Sequence, residues 1–344
     1  MVLNKNSKPE LTNACFLLGA YMIVRLGLGA AAVAEKFGSL LPDLKTYRDI
    51  SPGPQNFELR LEDCWEALHK GVELEWVDFG PNGFDADEYR HYDDPCNGDL
   101  HVIVPNRLIA MKGPVEPGDG KLWRDTPEGS RDFSPAYCAQ VLRDFDVSVV
   151  VRLNEARYGA EALRAAGIAV ADTPFDDCRP PPDAVVAKFL LLAESAPGAV
   201  AVHCKAGLGR TGTLIGLHLM KTYGLTARQA MGWLRIVRPG SVIGEQQQYL
   251  CDVEPAIARM RARPAVMAEA AEAAAAAAAQ AESQGGDALE GVEALWERIR
   301  GTVDREGARR SPAAGAAGGS DVPAALLAYH VSGAAARRSA RRMK

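Results

Sequence analysis

The stretch AVAVHCKAGLGRTGT, residues 199–213, places a cysteine and an arginine on a loop between a predicted strand and a predicted helix. Its first four residues form a short apolar run, which is typical of a buried strand. The small residues Ala206, Gly207 and Gly209 allow successive backbone N–H groups to converge on one point. The following helix presents its positive dipole end there. We therefore predict a cradle for an anion of three oxygens.

Three side chains give this cradle its predicted chemistry. Arg210 offers a planar fork that holds two phosphate oxygens. Cys204 lies at the bottom of an electropositive cup, which favours its thiolate. A thiolate that faces phosphorus in line is a nucleophile for phosphoryl transfer, and Thr211 is placed to donate its hydroxyl to the sulfur and ease its departure. An ordinary buried thiol is the expectation for the other six cysteines.

Short β-branched strands alternate with helices through residues 98–263, which we predict to be the catalytic domain. This order implies an α/β fold with a mostly parallel sheet flanked by helices. The predicted strands cover 101–104, 108–111, 147–153, 168–172 and 199–203, and the predicted helices cover 134–143, 160–166, 183–195, 211–223, 226–237 and 245–263. Asp183 is the predicted cap of the third helix.

The regions on either side of that domain have a different character. Residues 1–97 combine a helix over 15–37, broken near Gly27 and Gly29, a helix over 57–70, and an acidic turn-rich segment at 81–99 whose simplest interpretation is a solvated loop. The apolar run at 14–24 resembles a signal peptide, but Arg25 interrupts it and a buried helix is favoured. Residues 264–344 are predicted to be a mostly disordered, Ala-rich tail with some helix. Its basic end is either a nuclear address or a solvated terminus.

Composition excludes several classes of protein. The chain has 344 residues, of which 47% are apolar and 24% charged, so it is not fully disordered, collagen-like or a polytopic membrane protein. Its formal charge of 39 − 44 = −5 provides no global basic field for nucleic acid. The seven cysteines form no CxxC pair, so neither a zinc site nor a disulfide framework is indicated. We predict no membrane span and no specific nucleic-acid partner.

The loop at 204–211 resembles the signature of the cysteine-based protein tyrosine phosphatase superfamily. Together with WLRIVRPGSVIGEQQQYL at 233–250, it more closely resembles the mitotic-exit dual-specificity phosphatases, the cell-division-cycle fourteen family. NACFLLGAYMIVRLG at 13–27, HYDDPCNGDL at 91–100, VPNRLIAMKGP at 104–114 and VVVRLNEARY at 149–158 extend this resemblance over residues 13–255. It implies two tandem phosphatase-like domains, an inactive first and a catalytic second, with no metal or organic cofactor.

The first of those domains is predicted to be partial. NACFLLGAYMIV matches the helix that follows the degenerate phosphate loop of the family's first domain. Residues 1–97 are therefore expected to lack most strands of an N-terminal sheet, through a truncated gene model or a reduced domain. Helices without the sheet that they cover would leave apolar surface exposed.

The resemblance also implies a general acid, which would give the leaving oxygen its proton. The family supplies this acid from a Phe-x-Asp stretch, here Phe175-Asp176-Asp177. Asp177 is the predicted acid and Asp176 the alternative. Cys178 stands where the family usually has glycine.

Further side chains are predicted to surround the nucleophile. The resemblance places Gln246 and Gln247 beside the site, where they would position water or substrate, and a helix N-terminus is the alternative interpretation. His203 is predicted to order the loop by hydrogen bonds rather than to act as a base. The predicted substrate-binding loop consists of Lys205, Ala206, Gly207, Leu208 and Gly209.

The activity implied by the resemblance is hydrolysis of phosphoserine, phosphothreonine and phosphotyrosine in proteins, with a preference for Ser-Pro sites that have a downstream basic residue. Asp93 and Asp99 match acids of the groove that selects that residue. Arg90 occupies a place where another acid is expected, which predicts weaker selection. A role in the cell cycle and a location in the nucleus and cytoplasm, including the spindle or centrosome, are also implied.

Two other functions remain open from the sequence. A phosphoinositide phosphatase can share HCKAGxGRTG, but such enzymes tend to carry extra cations within the loop, and here Leu208 leaves Lys205 alone. An inactive phosphoprotein-binding module would be expected to lose Cys204, Arg210 or the acid, and all three are present.

Overall fold

The chain folds around a central sheet, and the computed structural model describes residues 7–51, 57–80 and 83–261. Two irregular turns of helix accompany the α-helices, a 3₁₀ turn at Leu41–Asp43 and a π turn at Leu219–Tyr223. The α-helices of these residues are α1 (Lys8–Leu26), α2 (Ala30–Lys36), α3 (Leu61–Glu73), α4 (Ala86–Asp93), α5 (Pro135–Asp144), α6 (Glu161–Ala165), α7 (Asp183–Ser195), α8 (Gly209–His218), α9 (Ala227–Val237) and α10 (Glu245–Arg261).

The sheet has five strands in the order β1-β2-β7-β5-β6, and a separate hairpin pairs β3 with β4. The strands are β1 (Leu100–Val104), β2 (Leu108–Met111), β3 (Trp123–Asp125), β4 (Arg131–Phe133), β5 (Val147–Arg152), β6 (Ala169–Asp172) and β7 (Ala199–His203). β1 runs antiparallel to β2, and every other pairing in the larger sheet is parallel. The predicted α/β fold, a mostly parallel sheet flanked by helices, is confirmed.

The central position of β7 explains why its residues 199–202 are all apolar. It pairs with β2 on one side and β5 on the other, and all of its residues are buried. A parallel strand that is covered on both faces has no solvent side on which to place polar residues. Met111 and Arg152 are both in register with His203, so β2, β5 and β7 end at one edge of the sheet. The loops that follow these strands meet there.

Two apolar layers cover the sheet. Val149 and Val151 of β5 face the larger layer, which includes residues of α7, α8, α9 and α10. Val147 and Val150 of the same strand face the smaller layer, which includes residues of α5 and α6. From Val149 to Val151 this division follows the alternation of side chains along a strand, and the irregularity in register between Val147 and Val149 turns Val147 to the same layer as Val150.

The N-terminal helices belong to the larger layer. Trp65 of α3 is fully buried, its ring lies 5.0 Å from that of Phe37, and its indole N–H donates to the Phe16 carbonyl at 3.2 Å. Trp76, which follows α3, contacts Trp233 of α9 with ring centroids 5.2 Å apart. Residues 7–80 and the catalytic region therefore share one continuous apolar core. The predicted boundaries at 97 and 263 stay predictions.

The outward face of α1 is apolar and exposed. Leu17, Leu18, Tyr21 and Leu26 each keep between 49% and 61% of their surface accessible. Within residues 7–51 and 57–80, the only β pairing is an isolated bridge between Tyr47 and Leu59. The described part of α1 thus exposes apolar surface. That the first domain is partial stays a prediction.

Most predicted elements are present, and several differ in detail. Gly27, with a φ of 66°, ends α1, so the predicted break in the first helix is confirmed. The acidic segment is not simply a loop, because Asp85 accepts hydrogen bonds from the amides of Asp87 and Glu88 and starts α4. The predicted cap at Asp183 is wrong, since this residue is already the first of α7 and no side chain caps the helix. The β3–β4 hairpin was not anticipated.

Two further predictions concern the C-terminal tail and the apolar run near the N-terminus. The predicted tail at 264–344 and its basic end lie outside the described residues. No helix within residues 7–51, 57–80 and 83–261 is long and apolar enough to cross a bilayer. The apolar run at 14–24 lies within α1.

Candidate active site

The loop at 204–208 joins β7 to α8 at the edge where the parallel strands end. Gly207 has a φ of 69°, and a Cβ atom there would lie 2.1 Å from the Met111 carbonyl oxygen, so only glycine fits. The Lys205 carbonyl accepts a hydrogen bond from the Gly113 amide at 3.2 Å. The end of β2 therefore supports the loop from behind. The N-terminus of α8 lies at its other end, as the anion cradle requires.

Cys204 is the first residue after β7, and only 3% of its surface is exposed. Thr211 lies in the first turn of α8 and is fully buried. Its hydroxyl makes no hydrogen bond with any described residue, the Cys204 sulfur included. Donation from Thr211 to the sulfur stays a prediction for the covalent intermediate.

Arg210 is held by backbone carbonyls from two neighbouring loops. Its Nη1 donates to the Phe175 carbonyl at 2.9 Å and to the Leu153 carbonyl at 3.3 Å, and the side chain is 4% exposed. Its Nε is buried and has no hydrogen-bond partner among the described residues. Asp177 Oδ1 lies 3.3 Å from this Nε as an ion-pair contact that does not reach hydrogen-bond geometry. This edge of the guanidinium is therefore suited to a phosphate oxygen.

The loop at 173–182 between β6 and α7, which we call the acid loop, brings one of its two adjacent aspartates to that guanidinium. Asp177 Oδ1 lies 3.3 Å from Arg210 Nε, while the Asp177 side chain remains 59% exposed. Asp176 is exposed, and only its carbonyl forms a hydrogen bond in the described residues, with the Arg179 amide at 3.4 Å. The position of Asp177 suits a proton donor at the mouth of the site. Its assignment as the acid stays a prediction.

Cys178 completes this loop in a conformation that favours glycine. Its φ is 58°, in the left-handed region, and its amide donates to Asp177 Oδ1 at 3.1 Å. Burial and the neighbouring Asp177 raise the pKa of the Cys178 thiol. Cys178, which stands where the family usually has glycine, therefore strains the backbone at this position.

His203 has the structural role that the sequence predicts. Its Nδ1 donates to the Cys204 carbonyl at 3.0 Å, and its Nε2 accepts from the Tyr158 hydroxyl at 2.8 Å. Burial lowers the pKa of His203 to about 4. The imidazole is thus neutral at pH 7 with both nitrogens occupied, and the ordering role is confirmed.

Gln246 and Gln247 are both buried in the first turn of α10. Gln246 Nε2 donates to the Arg179 carbonyl at 3.1 Å, which ties α10 to the acid loop. Gln247 Nε2 donates to Asp49 Oδ2 at 2.9 Å, and its Oε1 accepts from Arg235 at 2.6 Å. Gln246 is therefore close to the catalytic loops, whereas the Gln247 amide is occupied by structural partners.

Arg238 binds the rear of the loop at 204–208, which we call the phosphate loop. Its role is not evident from the sequence. Its Nε donates to the Gly207 carbonyl at 2.8 Å, and its Nη2 donates to the Ala206 carbonyl at 2.9 Å. The same Nη2 lies 2.7 Å from Asp99 Oδ1, and Arg238 is 2% exposed. The predicted groove acid Asp99 thus neutralises a buried arginine. The only sequence signal for this role is the place of Arg238 in the resembling stretch 233–250.

The other predicted groove acid connects to the same arginine through His101. Arg238 Nη1 donates to His101 Nδ1 at 2.8 Å, and because arginine only donates, the histidine proton is on Nε2. That Nε2 donates to Asp93 Oδ1 at 2.9 Å. Burial, together with the charge of Arg238, lowers the pKa of His101. A chain of hydrogen bonds therefore links Asp93 to the phosphate loop.

The remaining predicted loop residues form its rim. Lys205 and Ala206 are exposed, Leu208 is partly exposed, and Gly209 begins α8. Within the part of the chain that the structure describes, no three His, Cys, Asp or Glu side chains cluster as a metal site requires.

The comparison with known families agrees with this geometry. Residues 137–255 match the family described as "Dual specificity phosphatase, catalytic domain", and residues 1–71 match "Dual specificity protein phosphatase, N-terminal half". The first match contains Cys204, Arg210 and Asp177. The fold and the site therefore define a dual-specificity phosphatase catalytic domain.

Individual relatives identify the family within the dual-specificity phosphatases. The human protein "Dual specificity protein phosphatase CDC14C" is 42% identical over 247 residues, which are 71% of this chain and 53% of that protein. The Caenorhabditis elegans "Tyrosine-protein phosphatase cdc-14" is 39% identical over 241 residues, 70% of this chain and 33% of that protein. The chain belongs to the CDC14 family. It spans about half the length of the human relative.

Among solved structures, "Crystal structure of Tk-PTP in the active form" is 24% identical, with a TM-score of 0.37. The overlap covers 48% of this chain and 97% of that one.

Proposed function

We propose that this chain is a protein phosphatase that hydrolyses phosphoserine, phosphothreonine and phosphotyrosine through a phosphocysteine intermediate. The observation that carries the proposal is the arrangement around Arg210, whose buried Nε has no hydrogen-bond partner among the described residues. Cys204 begins the loop that leads to this arginine, and Asp177 lies 3.3 Å from it. The two relatives, a dual-specificity and a tyrosine-protein phosphatase, support this activity.

In the first step, the Cys204 thiolate attacks the phosphorus while the bond from phosphorus to the substrate oxygen breaks. Arg210 and the N-terminus of α8 stabilise the phosphoryl oxygens as charge shifts onto them. Asp177 gives its proton to the leaving serine, threonine or tyrosine oxygen. The products of this step are the dephosphorylated side chain and phosphocysteine.

In the second step, water attacks the phosphorus of phosphocysteine. The Asp177 carboxylate accepts a proton from that water, the bond between phosphorus and sulfur breaks, and inorganic phosphate leaves. Thr211 donates its hydroxyl to the departing thiolate. Gln246, through its contact with the acid loop, helps to position the water.

Two substitutions test this mechanism. Cys204→Ser should abolish turnover of a phosphoserine-proline peptide and retain its binding, because serine is a poor nucleophile in the same cradle. Asp177→Asn should lower kcat by roughly 100-fold, the usual contribution of a general acid. The loss should be smaller for 4-nitrophenyl phosphate, since its leaving group needs no proton. Steady-state kinetics and calorimetry measure these effects, and substantial activity in Cys204→Ser would overturn the mechanism.

The finer substrate preference is also a proposal. Phosphoserine followed by proline is the preferred site, and a downstream basic residue contacts Asp93, whose side chain is 53% exposed. Arg90 is exposed, forms an ion pair with Asp87 and places a positive charge on the same helix. This charge opposes that of a basic substrate residue.

Replacement of Arg90 tests the charge argument. Arg90→Glu should raise the ratio of kcat/KM for a peptide with a downstream lysine to that for its alanine counterpart by about fivefold, because a repulsion becomes an attraction. Arg90→Gln, which removes the charge without reversing it, should give an intermediate ratio. Equal ratios in all three proteins would contradict this role for Arg90.

A role in the cell cycle and a location in the nucleus and cytoplasm, including the spindle or centrosome, complete the proposal. Both are proposed on the resemblance to the CDC14 family. Fluorescence imaging of the tagged full chain through mitosis tests the location, and exclusion from the nucleus and spindle at every stage would contradict it.

A further inference from the structure

A cavity adjoins the phosphate loop. It has a volume of about 510 Å³ and shares Cys204 and Lys205 with the loop as a common wall. Its other walls are residues 112–115 after β2, Asn154 and Arg157 after β5, and the β3–β4 hairpin. Asp177, Gln246 and the predicted groove acids do not line it. We call this space the lateral cavity.

The lateral cavity is positively charged, although the chain as a whole carries a formal charge of −5. The positive contribution comes from two lysines and two arginines, and the negative one from Glu128 and Asp132, so the net charge of the lining is +2. The cations are Lys112, Arg124, Arg157 and Lys205. An anionic group is therefore favoured in this space.

Two of these cations are already paired. Asp132 lies 3.2 Å from Lys112 and 2.9 Å from Arg124, and its carboxylate is shared between them. Arg157 and Lys205 are exposed, and neither side chain forms a hydrogen bond or ion pair with another described residue. These two cations are available to a ligand, and Lys205 is adjacent in sequence to the nucleophile.

A buried amide in the same wall points to a peptide ligand. Asn154 is 5% exposed, and its Oδ1 has no hydrogen-bond partner among the described residues, while its Nδ2 donates to the Glu155 carbonyl at 3.1 Å. An unpaired buried acceptor favours a ligand that brings a donor. A peptide supplies backbone N–H groups as well as an acidic side chain. The carboxylates of Glu128 and Asp132 oppose a headgroup with many phosphates.

We propose that the lateral cavity binds a second anionic residue of the substrate, an aspartate, a glutamate or a further phosphorylated side chain close to the one that Cys204 attacks. Arg157 and Lys205 contact this anion, and Asn154 accepts a hydrogen bond from the peptide backbone. The inference rests on the proposed function. It adds an anion-selecting site whose lining does not include Asp93 or Asp99, the acids expected to select a basic residue.

A panel of peptides tests the lateral cavity. A phosphoserine-proline peptide is prepared with glutamine, aspartate or a second phosphoserine at each position within three residues of the phosphoserine, the proline excepted. At one or more positions, kcat/KM should rise by about fivefold for aspartate, the upper range for one exposed ion pair, and further for phosphoserine. Arg157→Gln should remove this preference while kcat/KM for the glutamine peptide stays within about twofold.

Two further variants make the comparison specific. Arg124→Gln should also weaken the preference, because it leaves Asp132 with one cation fewer. Arg164→Gln removes an exposed arginine that does not line the cavity, and it should keep the full preference. Equal kcat/KM for all peptides, or a preference that survives in Arg157→Gln, would overturn the proposal.

Binding separates this inference from the proposed function. Cys204→Ser should bind the acidic peptide about fivefold more tightly than the glutamine peptide, and Arg157→Gln added to it should remove the difference. If wild-type protein hydrolyses no peptide, the proposed function fails and these affinities still decide on the cavity. Faster hydrolysis of a soluble bisphosphorylated inositol headgroup than of every peptide, lost in Arg157→Gln, would assign the cavity to lipids and overturn the peptide proposal.

Discussion

At the scale of single residues, Asp93 and Asp99 show how similar carboxylates acquire different roles. Asp99 pairs with Arg238, whose guanidinium holds the carbonyls of Ala206 and Gly207. Asp93 is half exposed and reaches the same arginine only through His101. Asp99 is therefore a positioning residue for the phosphate loop, whereas Asp93 is free on one side to meet a substrate cation.

Substitution of each aspartate should separate these roles. Asp99→Asn should lower kcat by about tenfold for peptides with and without a downstream lysine, because loss of a buried charge partner loosens Arg238 and the loop. Asp93→Asn should lower kcat/KM mainly for the lysine peptide. Steady-state kinetics with the matched pair of peptides measure both effects. A loss confined to the lysine peptide in Asp99→Asn would show that Asp99 acts on the substrate directly.

At the scale of elements, the acid loop depends on the backbone at Cys178. This residue has a φ of 58° immediately after Asp177. Glycine adopts that conformation without steric cost, while a β-branched residue adopts it only with strain of about 1–3 kcal/mol. The side chain at 178 therefore influences where Asp177 is held.

Three substitutions at this position test the loop. Cys178→Gly should keep or raise kcat, and Cys178→Ala, which removes the thiol but keeps a single Cβ, should match the wild type. Cys178→Val should lower kcat by about tenfold, because the strained loop moves Asp177 away from Arg210. The measurements are kcat and the melting temperature. Valine and alanine variants of equal activity would exclude the conformational explanation.

At the scale of the whole molecule, buried histidines make stability depend on pH. Burial lowers the pKa of His203 to about 4 and that of His218 to about 3. Neither ring nitrogen of His218 has a hydrogen-bond partner among the described residues. Below pH 6.5 the unfolded chain binds protons that the folded chain excludes, so stability falls as the pH decreases from about 6.5 toward 4.

The free energy of unfolding should thus decrease by roughly 2 kcal/mol for each of these histidines between pH 7 and pH 5. His218→Leu should remove its share, and its melting temperature should change less over that range. His91→Leu, at an exposed position, is the matched control and should leave the pH dependence unchanged. The same dependence in His218→Leu and the wild type would contradict the role of His218.

The sequence predicts Cys204 and Arg210 as one candidate site because the two residues are close together in the chain. A strand, a loop and a helix between residues 199 and 213 bring Cys204 and Arg210 into one cradle, and the apolar runs at 147–152 and 199–203 indicate buried parallel strands. These are local patterns, and the backbone conformations that they favour are largely independent of the rest of the chain. The prediction of Asp177 as the acid required the resemblance to the family, since Asp176 and Asp177 are adjacent in the sequence.

The distant residues that support that cradle are evident only from the folded structure. Arg238 and Asp99 are 139 positions apart, and Gln247 and Asp49 are 198 apart. Contacts of this kind depend on how helices and strands pack, and no local pattern records them. For the same reason the lateral cavity does not appear in the sequence, because its walls come from four separate segments. The α/β class of fold and the prediction of Cys204 as nucleophile come from local sequence patterns, because one strand-loop-helix segment carries both. The residues that surround Cys204 are set by long-range packing, because they lie far apart in the chain.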